Sequence, residues 1–314
     1  MEQISILGCG TMGHSIALSA AWAGQTVKVY GINEQDLVNA NKGLNNKLKV
    51  MVANGLFDEE QEKRINSSIV FSTSLEEVIA DSTFIIEVIP EVLELKKDLY
   101  KRLESLVEKE AVIASNTSGF MPSLLSAEMN FPNRFVVTHF WNPGHLIPLV
   151  EVVKGDKTDE ATVERAMAVI ESMNKKPILL QKELPGFIGN RLQYALFREA
   201  QALLDSGAAT KEDIDAAVTY SIGRRLPVTG PLMTADMGGL DVFSAISNYL
   251  FEDLATDKRS GETLTKLVEE KKFGDKSGKG FYEWEAEISE KINEEREQTL
   301  IHFLKNDLKG NGGV

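Results

Sequence analysis

The stretch ISILGCGTMGHSIALSAAWAG, residues 4–24, decides the fold of this chain. Its apolar start predicts a buried strand, and its second half has the length and periodicity of a helix. The turn between them has the pattern G-x-G-x-x-G, in which glycines permit a tight turn, close approach of a phosphate and packing of helix on strand. The helix start is also suited to anions. We therefore predict a dinucleotide site here, with contacts from Gly8, Gly10, Thr11, Met12 and Gly13.

Similar apolar runs recur through the first 180 residues, separated by stretches of helical length. The further predicted strands are TVKVY (26–30), SIVF (68–71), TFIIEVI (83–89), AVIAS (111–115), RFVVTHF (134–140) and PILLQ (177–181). Continuous apolar runs suit strands that are covered on both faces, as in a parallel sheet. The alternation predicts a doubly wound α/β domain of the Rossmann type. Residues 33–66 are long for one crossover and predict a helical hairpin.

The character of the chain changes after Pro185 and Gly186. FIGNRLQYALFREAQALLDSG (187–207) predicts one long helix that ends at Gly207. Further helical patterns follow, and the next strand expected is GKGFYEW (278–284). We predict two domains, a dinucleotide-binding domain at 1–183 and an all-α domain at 184–314.

The composition excludes several classes of protein. At 314 residues, 43% hydrophobic and 26% charged, the chain can bury a sizeable core. A net charge of −13 argues against nucleic acid as a partner, since no basic stripe is present to neutralise phosphates. The single cysteine, Cys9, allows no disulfide within one chain. The first residues lack a signal-peptide pattern and no window has the apolar length of a membrane span, so we expect a cytoplasmic protein with a small-molecule partner.

The end of the second predicted strand leaves the choice of dinucleotide open. An acid is expected there, accepting hydrogen bonds from the adenosine ribose. The chain instead has Gly31, followed by Ile32, Asn33 and Glu34. A missing carboxylate removes a repulsion against the 2′-phosphate of NADP, yet no Arg or Lys follows to attract one. Gly31 and Asn33 are candidate contacts, and the cofactor is NAD or NADP.

One apolar stretch, THFWNPGHLIPLVEV (138–152), contains His139 and Glu151. A lone histidine in such surroundings is usually a core residue, and a lone glutamate usually faces water. Whether either residue has a function here depends on what the rest of the chain builds around this stretch. His145, six residues after His139, is expected to be a supporting or surface residue.

The motifs together resemble those of the 3-hydroxyacyl-CoA dehydrogenase family. They are GCGTMG (8–13), SNTSG (115–119), HFWNP (139–143), LVEVVKG (149–155), PGFIGNR (185–191) and FGDKSGKGFYEW (273–284). The resemblance covers residues 3 to about 284. It implies a Rossmann domain, a helical domain that forms a homodimer, an active site in the cleft between them and a role in fatty acid metabolism.

The resemblance also assigns roles by position. It implies His139 and Glu151 as the catalytic pair, and Ser118 and Asn190 as polar contacts of the substrate. The implied cofactor contacts are Glu91, Lys96, Asn142 and again Ser118.

These residue types suit oxidation of a secondary alcohol. The reaction removes a hydride to the nicotinamide and a proton from the hydroxyl. A neutral imidazole can accept that proton near physiological pH. A carboxylate on the other ring nitrogen fixes the tautomer and stabilises the imidazolium. Hydrogen-bond donors beside the substrate oxygen stabilise the charge that develops there.

Two departures from the family leave the substrate open. The serine and lysine that hold CoA in the family correspond to Lys47 and Asn54, although Lys47, Lys49 or Arg64 could reach a phosphate.

The segment SIGRRLPVTGPLMTADMGGLD (221–241) instead resembles dehydrogenases of small carboxylates, such as gulonate, carnitine and pyridine carboxylates. Arg224 and Arg225 would bind a carboxylate there, or simply cap a helix. The hypotheses are a short-chain 3-hydroxyacyl-CoA dehydrogenase, a dehydrogenase of a free hydroxy acid or hydroxymethyl carboxylate, and a non-catalytic crystallin-like protein.

Overall fold

The computed structural model describes residues 2–309 of the chain. Eight short strands in that part form a single sheet: β1 (Ile4–Leu7), β2 (Val27–Tyr30), β3 (Ile69–Ser72), β4 (Phe84–Glu87), β5 (Val112–Ser115), β6 (Phe135–Phe140), β7 (Leu149–Lys154) and β8 (Lys176–Leu180).

The order of strands in the sheet is β3-β2-β1-β4-β5-β6-β7-β8. Strands β1 to β6 run parallel, as their continuous apolar sequences predict. β7 runs antiparallel to β6, and β8 runs parallel to β7. The first six strands have the order of the Rossmann fold, so the predicted fold class is confirmed.

Strand β7 was not among the predicted strands. The sequence pattern used predicts strands that are separated by helices. β6 and β7 are joined instead by the loop 141–148, which contains no helix. Neighbouring antiparallel strands can be joined directly in this way. This strand carries Glu151, so the omission concerns the part of the sheet that matters most for function.

The helices in the described chain vary from one turn to more than six. They are α1 (Thr11–Trp22), α2 (Glu34–Ala53), α3 (Glu59–Ser67), α4 (Leu75–Ile79), α5 (Leu93–Leu106), α6 (Pro122–Leu125), α7 (Glu160–Ser172), α8 (Gly189–Asp205), α9 (Lys211–Ala217), α10 (Gly223–Arg225), α11 (Pro231–Gly238), α12 (Leu240–Leu250), α13 (Glu262–Glu269) and α14 (Ala286–Lys309).

The predicted helical hairpin at 33–66 is confirmed by α2 and α3. Asn33 caps α2, because its side chain accepts the backbone N–H of Asp36. Asp58 and Gln61 form a capping box at the start of α3. Local side chains therefore define both helix starts.

The core consists of two layers, one on each face of the sheet. On one face Ile6 and Ile86 pack against α1, α2, α3 and α7. On the other, Ile85 and Ile113 pack against α4, α5 and α6. Because successive residues of a strand point to opposite faces, a fully apolar strand serves both layers.

Contacts divide the chain into two compact units, one of residues up to 190 and from 296 onward, the other of residues 191–295. In the first unit, Ile301 and Leu304 of α14 pack against Leu146 and Trp22. The sequence prediction placed all of 184–314 in the second domain. The contacts instead group 296–309 with the first unit, and the buried side chains of Ile301 and Leu304 belong to this part of α14.

The described part of the second unit is helical. Where a strand was expected, residues 278–284 contribute only to isolated bridges, between Gly274 and Lys279 and between Lys279 and Glu283. Gly207 follows α8 in a left-handed conformation (φ +70°), as predicted for a helix end. Among residues 2–309, no helix has the length and apolar character needed to cross a membrane.

Candidate active site

The hairpin of β6 and β7 brings His139 and Glu151 together. The two residues are directly paired across the antiparallel ladder, so their side chains leave the same face of the sheet. The Nδ1 atom of His139 lies 2.8 Å from Oε2 of Glu151. His139 is 6% exposed and Glu151 is fully buried. The predicted pairing is present, and neither side chain is an unrelated core or surface residue.

Four N–H groups surround the Glu151 carboxylate. Its Oε1 accepts the backbone N–H groups of Ile188 (2.8 Å) and Gly189 (3.0 Å), at the start of α8. Its Oε2 accepts the indole N–H of Trp141 at 3.3 Å as well as the His139 contact. Burial alone would raise the pKa of Glu151, but the hydrogen bonds from His139, Gly189 and Ile188 outweigh it and hold the pKa below its usual value. The carboxylate is therefore ionised.

An ionised carboxylate fixes the tautomer of His139. Because it can only accept, the shared proton lies on Nδ1 of the neutral ring, and Nε2 carries a lone pair. The rings of Trp141 and Phe187 lie 5.4 and 5.5 Å from the imidazole, between ring centres. His139 thus has one nitrogen committed to Glu151 and one able to take a proton.

Trp141 has a larger part in this arrangement than the sequence indicated. Its indole N–H donates to Glu151 as well as packing beside the His139 ring. A Cβ at Gly189 would lie 2.3 Å from Cζ2 of Trp141, so only glycine fits beneath the indole. Gly189, the second glycine of PGFIGNR, is the sequence signal for this contact.

Ser118 and Asn190 lie beside each other on the surface. Asn190 Nδ2 donates to the carbonyl oxygen of Ser118 at 2.9 Å; Ser118 is exposed and Asn190 is half-buried. The segment before Ser118 is attached to β6, because Asn116 Oδ1 accepts the N–H of Phe140 at 2.8 Å. Asn116 belongs to the motif SNTSG, from which this contact was not predicted.

A buried ion pair supports the same loop. Lys96, 1% exposed, lies with Nζ 2.7 Å from Oε1 of Glu87 and 3.3 Å from Oε2 of Glu91. Glu91 Oε1 in turn accepts the backbone N–H of Ser118 at 3.2 Å and the hydroxyl of Thr117. The implied cofactor residues Glu91 and Lys96 are thus joined to Ser118 by hydrogen bonds.

Glu87 was missed by the sequence prediction. It is fully buried at the end of β4 and accepts from Lys96, from the N–H of Ile89 (2.7 Å), from Ser115 Oγ (2.7 Å) and from the Tyr100 hydroxyl. A carboxylate within the apolar run FIIEVI was the available signal, since buried acids are rare unless paired.

The glycine turn borders a pocket of 860 Å³ in the first unit. Gly8 has φ +114°, and a Cβ at Gly13 would lie 1.9 Å from the Gly8 carbonyl oxygen, so neither position accepts a side chain. A Cβ at Gly10 would meet no atom within 4 Å, and no side chain caps α1 there. An uncapped helix start facing open space fits a pyrophosphate.

The pocket receives some of the predicted cofactor residues and not others. Gly8, Gly10, Thr11 and Met12 line it, together with Tyr30, Ile32, Asp36, Asn39 and Ala40 among others. Gly31 is buried beside the pocket, where a Cβ would lie 2.4 Å from Leu37 Cδ2. Asn33 serves as the cap of α2. Asn142 is exposed in the loop after β6.

His145 is buried, so of the two expected roles, a supporting or a surface residue, the surface one is wrong. It is 2% exposed, and its Nδ1 lies 2.8 Å from the hydroxyl of Ser15. That hydroxyl also accepts the backbone N–H of His145 at 3.1 Å. Burial, followed by the nearby Lys47 and Lys175, lowers the pKa of His145 to about 3, so the ring is neutral.

The two basic candidates for substrate contacts have local partners. Nζ of Lys47 lies 3.0 Å from Nε2 of His14, and burial lowers the pKa of Lys47. Arg224 belongs to the second unit, where its guanidinium lies 5.3 Å from the centre of the Tyr220 ring and its Nε donates to the Thr219 carbonyl.

Among the described residues, no group of three or more His, Cys, Asp or Glu side chains is placed to hold a metal ion.

The sheet, the glycine turn and the histidine–glutamate pair define a class, the Rossmann-type oxidoreductases that act on CH–OH groups with a nicotinamide cofactor. Residues 3–184 match the NAD-binding domain of 3-hydroxyacyl-CoA dehydrogenase, and residues 186–284 match the C-terminal domain of the same enzyme. The chain belongs to the 3-hydroxyacyl-CoA dehydrogenase family.

Three similar proteins illustrate the range of the family. The 5-formyl-3-hydroxy-2-methylpyridine 4-carboxylate 5-dehydrogenase of Mesorhizobium japonicum is 32% identical over 301 residues, 96% of each chain. A crystal structure of an NAD⁺-dependent 5-dehydrogenase of this pyridine carboxylate aligns with a TM-score of 0.91 at 31% identity, over 99% of this chain and all of that one. The (S)-3-hydroxybutyryl-CoA dehydrogenase of Ralstonia eutropha aligns with a TM-score of 0.76 at 29% identity, over 91% and 99% of the chains.

Proposed function

We propose that this protein interconverts the hydroxyl and carbonyl forms of a small hydroxy acid, with His139 as the general acid and base. The contact of 2.8 Å between His139 Nδ1 and Glu151 Oε2 carries the proposal. It leaves Nε2 as the nitrogen that accepts a proton, and it places an ionised group against the imidazolium that results. A paired acid of this kind is expected where a buried site must hold a transient cation.

In the oxidative direction, Nε2 of His139 takes the hydroxyl proton of the substrate. A bound nicotinamide dinucleotide supplies the hydride acceptor. Glu151 remains ionised throughout, because two backbone N–H groups and the Trp141 indole also donate to it. In the reductive direction the imidazolium returns the proton to the developing alkoxide.

Ser118 and Asn190 are proposed to hold the substrate oxygen. Ser118 is exposed and Asn190 is half-buried, and the hydrogen bond between them keeps them adjacent. The Asn190 amide has two N–H groups and uses one on the Ser118 carbonyl, so one remains for a ligand. Donors aimed at an oxygen that gains charge stabilise the transition state more than the ground state.

The substrate we favour is a free carboxylate rather than an acyl-CoA. The side chains at the two positions expected to hold CoA have other partners, since Lys47 faces His14 and Asn54 Nδ2 donates to the Val50 carbonyl at 2.9 Å within its own helix. Similarity over the full length to an enzyme named for a pyridine carboxylate supports the same substrate class.

A short-chain 3-hydroxyacyl-CoA, such as 3-hydroxybutyryl-CoA, is the second candidate. Both family matches carry that enzyme's description, and a probable 3-hydroxybutyryl-CoA dehydrogenase of Bacillus subtilis is 34% identical over 92% of this chain. Lys49, which is exposed on α2, remains able to reach a phosphate.

Steady-state kinetics with acetoacetyl-CoA and with a panel of free oxo and formyl carboxylates separates the two candidates. Saturation with free acids alone supports the favoured substrate class. Saturation with acetoacetyl-CoA at a kcat/KM at least tenfold higher than for every free acid would overturn it. His139→Ala, run in parallel, is expected to abolish turnover while cofactor binding persists; retained turnover would contradict the proposed base.

A homodimer formed by the helical unit is also part of this proposal. The described side chains of α12 include none that is buried, although Phe243, Ile246 and Tyr249 are large and 40–66% exposed. Apolar helix faces of this extent are typical of subunit interfaces. Light scattering after size exclusion tests it: Ile246→Glu should yield a monomer from a dimer.

A further inference from the structure

The dinucleotide pocket contains an acid at a position that the sequence pattern does not mark. In dinucleotide-binding folds the acid that contacts the adenosine ribose ends the second strand. Here that position is Gly31, where a Cβ would lie 2.4 Å from Leu37 Cδ2 and 2.8 Å from Cys9 Sγ. Both neighbours would have to move before a side chain could be accommodated. The strand end therefore presents no carboxylate to the pocket.

Asp36 of α2 lines the same pocket. It is half-buried in the first turn of the helix, where its backbone N–H donates to Asn33 Oδ1 at 2.9 Å and its Oδ2 accepts from Asn33 Nδ2 at 3.3 Å. This reciprocal contact fixes the orientation of the carboxylate. Asn39, one turn further along the helix, also lines the pocket.

The carboxylate of Asp36 acts electrostatically on Cys9 in the glycine turn. Burial raises the pKa of the Cys9 thiol, and the carboxylate of Asp36 raises it further. Cys9 and Asp36 both line the pocket, so the carboxylate and the turn that faces the phosphates border the same space, in which the adenosine ribose of a dinucleotide follows the phosphates.

No positive charge balances Asp36 within the pocket. Among the described residues that line it, none is Lys or Arg. His14 is neutral, because burial and the nearby Lys47 lower its pKa and its Nε2 faces the Lys47 ammonium, which can only donate. The adenosine end of the pocket therefore carries a net negative charge.

We propose that Asp36, on the helix rather than at the strand end, accepts the hydrogen bonds of the adenosine ribose hydroxyls and excludes a 2′-phosphate, so that the protein selects NAD over NADP. This assignment rests on the proposed function, in which a nicotinamide dinucleotide occupies the pocket. The Asp36 carboxylate attracts hydroxyl donors and repels the negative charge of a phosphate. Asp36 takes the role of the acid that usually ends the second strand. Gly31 can then remain without a side chain, and Leu37 and Cys9 pack against it.

Calorimetric titration of the full chain with ADP-ribose and with 2′-phospho-ADP-ribose tests the assignment without any turnover. Wild type is expected to bind ADP-ribose at least about tenfold more tightly, a ratio that corresponds to one charge repulsion at the pocket surface. Asp36→Asn should reduce that ratio by about tenfold or more, mainly by improving affinity for the 2′-phosphate. Glu34→Gln is the matched control, since it removes an acid from the same helix turn that does not line the pocket.

Equal affinity of wild type for the two ligands would overturn the assignment, as would an unchanged ratio in Asp36→Asn or an equal change in Glu34→Gln. Binding of ADP-ribose by a protein without dehydrogenase activity would overturn the proposed function and leave the role of Asp36 intact. Absence of binding by either ligand would overturn both. Thermal unfolding of each variant verifies that the helix cap is preserved.

Discussion

Replacing Glu151 by Gln tests the centre of the site with almost no change in shape. The carboxylate accepts two N–H groups on each oxygen, from Ile188 and Gly189 on one side and from His139 and Trp141 on the other. A Gln side chain has one oxygen and one NH₂ group. Whichever way the amide turns, its NH₂ faces two other donors, so either the start of α8 or the His139 ring loses its acceptor.

The expected loss of rate follows from two contributions. A hydrogen bond to a charged group contributes about 1.5–3 kcal/mol, and unit charges about 4 Å apart attract by about 4 kcal/mol at the effective dielectric constant near a protein surface. Because the hydrogen bond to a charged group already includes part of the charge attraction, the combined loss is about 3–5.5 kcal/mol, and at about 1.4 kcal/mol for a factor of ten kcat should fall by about 10²- to 10⁴-fold. The upper figure is the size of the effect when the acid of a serine-protease triad becomes an amide.

Single-turnover absorbance of the reduced nicotinamide measures this loss directly. Glu160→Gln is the control, because Glu160 is an exposed acid whose carboxylate lies 2.6 Å from Lys154 at the end of β7. ADP-ribose affinity should be unchanged in both variants. If Glu151→Gln keeps its rate within about threefold, the proton does not pass through a histidine that Glu151 stabilises.

Three further variants probe the surroundings of the site. Glu87→Gln removes the closer and buried one of the two carboxylates that pair with the Lys96 ammonium, and it should destabilise the fold by about 3 kcal/mol in denaturant unfolding. Adding Lys96→Met should restore most of that stability. Gly189→Ala should lower kcat at least about tenfold in steady-state assays, because the new methyl group would lie 2.3 Å from the Trp141 ring. Burial lowers the pKa of Lys175 to about 7, so Lys175→Met should raise stability near neutral pH by on the order of a few kcal/mol.

For Lys175→Met, the difference in stability between wild type and variant should change with pH in one direction. Between pH 7 and about 10 the unfolded chain binds a proton at Lys175 that the folded chain has lost, so the stability of the wild type relative to the variant rises with pH. Chemical denaturation at several pH values measures that difference, and a flat difference would contradict it. For Gly189→Ala the control is Gly119→Ala, whose Cβ meets no atom within 4 Å. An equal loss of rate in both would exclude the steric explanation.

The fold class was predictable from sequence because each strand that builds it is a short apolar run between helices. Strand β7 was not, because a run that contains an acid and follows a loop with two prolines lacks the expected helix before it. Its pairing with β6 depends on register, which sequence alone leaves open. The contact between His139 and Glu151 therefore came from the family resemblance, and the ladder explains it afterwards.

Other parts of the site depend on where side chains point. Glu87 and Asp36 both stand at positions that a pattern search passes over, one inside an apolar strand and one inside a helix turn. Their roles follow from what surrounds them: three side chains and one backbone N–H for Glu87, and an open pocket for Asp36. The direction in which a side chain points and the extent to which it is buried depend on the tertiary structure, so the sequence alone does not give them.

The loop between β6 and β7 has a consequence for how this protein tolerates motion. Ser15 holds His145 by two contacts, and Ser19 donates to the Gly144 carbonyl at 3.3 Å, so the helix behind the glycine turn is fastened to the strands that carry the acid and base. We expect the glycine turn and the His139–Glu151 pair to move together, so that the distance between them changes little. A ligand that stiffens one of them should then slow amide exchange in the other.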